Sequence, residues 1–61
     1  MEPGDLVQFK TYKNRALGIL LKKSKSYRRF LFDEWEVLVQ DGEVAIFSEE
    51  IDFYLLCAVK R

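Results

Sequence analysis

The chain has 61 residues, ten of them basic and ten acidic, with no histidine and a single cysteine. A chain this short buries only about 60% of the surface its unfolded form exposes, which limits it to one domain, spanning residues 1–61. The lone Cys57 excludes an internal disulfide, and without histidine the paired Cys and His ligands of a zinc site are missing.

Such a domain has to draw its stability from large apolar side chains, and Trp35, five Phe and three Tyr supply them in a chain that is 49% hydrophobic, too apolar for a disordered tail. No cofactor and no metal are expected. A free thiol suits a reducing compartment. The opening Met1-Glu2-Pro3-Gly4-Asp5 lacks a secretion signal's basic and apolar regions, and no apolar run approaches the roughly 18 residues of a membrane span. The expected location is the cytoplasm, or the host cytoplasm if the chain is phage-encoded.

The zero net charge hides an asymmetry. Residues 1–30 hold eight bases against Glu2 and Asp5, whereas residues 31–61 hold eight acids against Lys60 and Arg61. Either the halves complement each other across one fold, or one face is a basic binding surface.

In chain order, Pro3-Gly4-Asp5 signals a turn, and Leu6-Val7-Gln8-Phe9-Lys10 alternates so that Val7 and Phe9 share a face: a first strand. Residues 11–15 have no periodicity and read as a loop around Asn14. Residues 16–22 form an apolar run of strand length, with Gly18 marking a bulge or a close backbone approach. Residues 23–29 are polar and cationic, a loop or hairpin tip. The third strand begins at Phe30-Leu31-Phe32, is interrupted at Asp33-Glu34, and resumes at Trp35, whose partners Val37 and Val39 lie on its own face. Asp41-Gly42 predicts a two-residue type I′ hairpin, which puts Val44 and Ile46 of the return strand, residues 43–47, on the core side. Ser48-Glu49-Glu50-Ile51-Asp52 reads as one 3₁₀ turn with Ile51 buried, and Phe53-Tyr54-Leu55-Leu56 as a short last strand.

Over residues 4–56, Gly4-Asp5-Leu6-Val7, Gly18-Ile19-Leu20, the Trp35-to-Gly42 hairpin and the turn from Ser48 to Ile51 together resemble small Src-homology-3-like barrels, the group that includes KOW and Tudor domains. The chain is also similar to small uncharacterised barrel proteins of tailed phages, including cyanophages. The resemblance implies an all-β fold, a five-stranded Src-homology-3-like barrel with one short 3₁₀ turn before the last strand. It does not carry a ligand over, because neither the aromatic cage of methyl-lysine readers nor the paired aromatic groove of proline-peptide binders is identifiable in the sequence.

No enzyme chemistry is expected. The common general base is absent, and Cys57 sits between apolar Leu56 and Ala58, so it reads as a small buried or half-buried hydrophobe. The carboxylates at Asp33, Glu34 and Glu36 and at Glu49, Glu50 and Asp52 lack the spacing of a cation loop. The leading expectation is a non-enzymatic module for protein–protein interaction or self-association, with Leu20, Leu38 and Phe47 pointing outward. The alternative is nucleic-acid binding by Lys13, Arg15, Lys22, Lys23, Lys25, Tyr27, Arg28 and Arg29, in loops 10–15 and 22–29 that flank one open side of the barrel. There cations would meet phosphates and tyrosine rings would stack on bases.

Overall fold

A computed structural model describes residues 1–24 and 33–59. These form five antiparallel strands, β1 (Leu6–Phe9), β2 (Leu17–Lys23), β3 (Glu34–Val39), β4 (Val44–Ser48) and β5 (Phe53–Cys57), in one sheet of order β4-β3-β2-β1-β5, with no helix among the described residues. The expected Phe30-Leu31-Phe32 start of the third strand lies outside the described residues.

Alternation decides which side chains are buried. In β1, Val7 and Phe9 point inward while Leu6 and Gln8 point outward; in β3, Trp35, Val37 and Val39 point inward while Glu34, Glu36 and Leu38 point outward. Phe53, Ala16 and Leu20 complete the core, and Tyr12 and Phe47 pack against it. Three strand spacings separate β1 from β4, about 14 Å in a flat sheet. The Phe9 and Phe47 rings nevertheless stand 4.5 Å apart, so the sheet curls until its first and fourth strands meet across the concave side. Backbone pairing does not close it. β4 and β5 are its edges, and among the described residues only the isolated Glu49–Phe53 bridge pairs across that seam.

The β3–β4 hairpin corrects the sequence expectation. Leu38 pairs with Val44 and Val37 with Ala45, so the loop holds three residues, Gln40, Asp41 and Gly42. The Gly42 N–H donates to the Val39 carbonyl at 2.8 Å, the Val39 N–H donates to the Glu43 carbonyl at 2.7 Å, and Gly42 has φ +94°. This is the three-residue connection in which glycine supplies a left-handed bulge. One extra loop residue reverses the facing of the returning strand. Val44 and Ile46 are therefore exposed on the outside, by 50% and 54%, while Ala45 and Phe47 take the core side.

The segment 48–52 also differs from expectation. It closes through the Asp52 N–H on the Ser48 carbonyl at 3.0 Å, with Glu50 at φ +67°, a left-handed residue that a 3₁₀ turn cannot contain. Ile51 consequently points to solvent.

Both ends of the described chain converge on one buried carboxylate. Asp5 Oδ2 accepts the Glu2 N–H and Oδ1 accepts the Val59 N–H, each at 2.9 Å.

Candidate functional site

Cross-strand partners lie on the same face of a sheet, so the register alone assembles an outer surface. Val44 pairs with Leu38, Leu38 with Ile19, Ile19 with Leu6, and Leu6 with Cys57. Five apolar side chains, one from each strand, thus form a continuous row across the convex face. Beside it an open depression of about 390 Å³ is lined by Leu6, Leu17, Ile19, Leu38 and Gln40. Val44 at the row's β4 end and the neighbouring Ile46 are half-exposed, and Ile19 at its centre is 43% exposed.

Several polar groups beside this row already have partners. Gln40 Oε1 accepts the Leu17 N–H at 2.7 Å, the Tyr54 hydroxyl donates to Gln8 Oε1 at 2.7 Å, and Lys22 pairs with Glu36 at 3.3 Å.

Of the residues expected at an interface, Leu38 lies in the row. Phe47 is half-buried against the core, its ring on Phe9 and Tyr12. Leu20 is 1% exposed, a core residue and not an outward one. It falls on the same side as Gly18 in an apolar run with no alternation to reveal its facing. Cys57, expected as a buried or half-buried hydrophobe, is exposed.

Three of the described cations, Lys13, Lys22 and Lys23, are engaged with acids from the other half of the chain. Lys13 pairs with Asp41 and, at 2.6 Å, with Glu43; Lys23 pairs with Asp33 at 3.0 Å; the Lys10 ammonium donates to the Glu50 carbonyl. Tyr12, expected as a stacking ring, lies edge-on to Phe9 at 5.3 Å and donates its hydroxyl to Glu43 at 3.1 Å. Arg15 is exposed, and its carbonyl accepts from Gln8. Lys25, Tyr27, Arg28 and Arg29 lie outside the described residues. The loops at 10–15 and after Lys23 leave from opposite ends of β2, seven residues or about 20 Å apart, so they do not flank one open side as expected.

The Lys13 cluster has a consequence for pH. Hydrogen bonds from the Lys13 ammonium hold Asp41 and Glu43 below the usual carboxylate range, with the Glu43 N–H assisting at Asp41 and the Tyr12 hydroxyl at Glu43. The hydrogen bonds to Asp41 and Glu43 in turn raise Lys13 above the usual lysine range. Carboxyls depressed in the folded state stabilise it above their unfolded values, near pH 4, and lose that contribution as pH falls through the depressed values. The raised lysine contributes below its unfolded value, near 10.4, and loses its share only as pH rises through the higher folded one. The cluster is thus intact between about pH 5 and 10. Urea melts should show stability falling on acidification below about pH 4, and Lys13→Met should flatten that fall while costing little at neutral pH, since exposed pairs contribute modestly. An unchanged acid limb in the variant would remove the cluster from the acid response.

Comparison of the chain with known protein families, curated proteins and solved structures found no match.

Proposed function

We propose that this chain is a non-enzymatic protein-binding module, a Src-homology-3-like barrel left open at the β4–β5 seam, that binds through its outer face. The observation that carries this reading is the unbroken apolar row from Val44 through Leu38, Ile19 and Leu6 to Cys57, beside an open depression. Single exposed apolar side chains are ordinary on a soluble domain, whereas a contiguous set from every strand of a sheet marks an interaction surface. The curl that brings Phe9 onto Phe47 and the strand order support the barrel. Against nucleic acid stand the carboxylate partners of Lys13, Lys22 and Lys23, which phosphates would have to displace.

An anilinonaphthalene-sulfonate dye, whose fluorescence reports accessible apolar surface, tests the reading on dilute folded protein. The wild-type chain is expected to enhance its fluorescence, and Leu38→Lys to abolish most of that signal while changing stability by no more than about 0.5 kcal/mol, as for a surface position. A signal indifferent to Leu38→Lys would sink the proposal. Salt-sensitive binding of a labelled single strand, without that signal, would put the nucleic-acid reading in its place.

A further inference from the structure

The two edges of the open sheet are not alike. The Val39 N–H donates to the Glu43 carbonyl and the Glu49 N–H to the Asp33 carbonyl, so the positions of β4 that bond to β3 fall on every second residue from 43 to 49. Ala45 and Phe47 therefore turn their backbone groups toward β3, and Val44 and Ile46 turn theirs to the free edge. Ser48 ends that edge: Asp52 Oδ2 accepts its N–H at 2.8 Å, and the Asp52 N–H donates to its carbonyl at 3.0 Å. The N–H and C=O groups of Val44 and Ile46 remain, with no strand beside them among the described residues. Soluble proteins blunt such edges with charges, proline, a bulge or a covering segment. β4 reads Val-Ala-Ile-Phe-Ser, uncharged and without proline, and its register with β3 is unbroken over five pairs. β5 is blunted: Phe53 is bridged to Glu49, and a bulge shifts the pairing of the strand with β1.

Charge at the β4 edge selects what can lie there. Glu34 stands directly opposite Ser48 on the outer face. Its neighbours Asp33 and Glu36 are paired with Lys23 and Lys22, whereas its own carboxylate has no ion-pair partner among the described residues. A strand laid along β4 would run two strand spacings, about 10 Å, from β3, and the small Ser48 between them leaves a long cationic side chain room to reach Glu34. Val44 and Ile46, half-exposed on the same face, match apolar cross-strand partners. The β4 of a second copy does not supply that cation, since Glu43 and Glu49 flank it.

We propose that β4 takes up an extended segment of another protein as a sixth, antiparallel strand, with a lysine or arginine opposite Ser48 and apolar residues opposite Ile46 and Val44. The added strand would lengthen the outer row by one member, so the inference rests on the protein-binding reading above and names the form of the partner. The probe is the synthetic peptide acetyl-Lys-Thr-Val-Thr-Val-Thr-amide, titrated into the isotopically labelled full chain and followed by amide chemical shifts. The Val44 and Ile46 amides, which gain acceptors, should move most, and those of Ala45 and Phe47, already bonded to β3, should move less. Methylating the two valine nitrogens of the peptide removes its donors to the edge carbonyls and should weaken binding about tenfold or more. Glutamate in place of the peptide lysine should weaken it about twofold to fivefold at low salt, and Glu34→Gln should erase that difference. Ile46→Pro deletes an edge N–H that no strand uses, a change that edge strands tolerate, and should abolish the titration. If that variant does not fold, judged by its thermal melt, the methylated peptide decides the matter. Edge amides unmoved at millimolar peptide overturn the proposal, as does equal binding of the methylated peptide or of the glutamate peptide. Shifts of the same amides with protein concentration alone would put a second copy at the edge and overturn it too. A dye signal that still depends on Leu38 while the peptide fails would overturn only the added strand, and loss of that dependence as well would overturn both readings.

Discussion

Trp35→Ala is expected to abolish the cooperative thermal transition. The indole is 3% exposed and sits on the inner face of β3 with Val37 and Val39. Truncating a buried tryptophan removes its transfer free energy and leaves a cavity, together about 3–5 kcal/mol. A single core in a chain this small rarely supplies more than about 3–5 kcal/mol in all, so the loss is of the same size as the whole stability. Two further contacts go with the ring. Its N–H donates to Glu49 Oε1 at 3.0 Å, tying β3 to the segment before β5, and the Lys23 ammonium lies 5.9 Å from the ring centre. Circular dichroism against temperature reads the outcome, and a melt retained within a few degrees would mean that the indole does not hold the core.

Gly18→Ala is the second large effect, and its cause is space, not backbone conformation. A Cβ at Gly18 would stand 2.6 Å from Val37 Cγ1 and 3.0 Å from Phe9 Cε2. Both neighbours are fully buried, and neither is the free end of a flexible chain that can swing aside. Overpacking of this kind costs about 1–3 kcal/mol, which the domain can barely sustain. The explanation is checked by a second substitution. Val37→Ala alone should destabilise by opening a cavity, but in the Gly18→Ala background it removes the clashing methyl, so the two costs should combine to clearly less than their sum. Additive losses in urea melts would show that the alanine is accommodated some other way. Gly42 presents the opposite case: nothing lies within 4 Å of a Cβ built there, and glycine is favoured by φ alone.

Much of the fold is legible in the sequence because alternation and turn chemistry are local. Val7 and Phe9 against Gln8, and Trp35, Val37 and Val39 against Glu36, place two strands and their inner faces, and Gly42 marks the hairpin. The return strand escapes such reading because Val44, Ala45, Ile46 and Phe47 are apolar on both sides. Its facing then depends wholly on whether the loop has two residues or three, and Gln40-Asp41-Gly42 settles that through the bond from Gly42 to Val39 and the Asp41 carboxylate accepting the Glu43 N–H at 3.0 Å. Leu20 is obscured in the same way by Leu21 and Ile19 beside it. The outer row could not be found from spacing, since its members lie in five different strands and are neighbours only through register. The electrostatic asymmetry, by contrast, is visible in the sequence, and among the described residues Lys13, Lys22 and Lys23 each meet acids of the second half.

Placing β5 beside β1 sets the order in which the chain can assemble. The first four strands each pair with their neighbour in sequence, so they can grow as successive hairpins whose connections are far shorter than the separation of β1 and β5. The last strand must instead find the first, and the Tyr54–Gln8 contact spans 46 residues. Closing a loop of that length costs about 3 kcal/mol in chain entropy beyond a constant term, and the cost falls largely away once the intervening hairpins have drawn the ends together. Docking of β5 is then the late event in folding, and its release the early one in unfolding. The Asp5 carboxylate, holding Glu2 and Val59 at once, is the latch on that final step: both ends of the described chain come free when it opens.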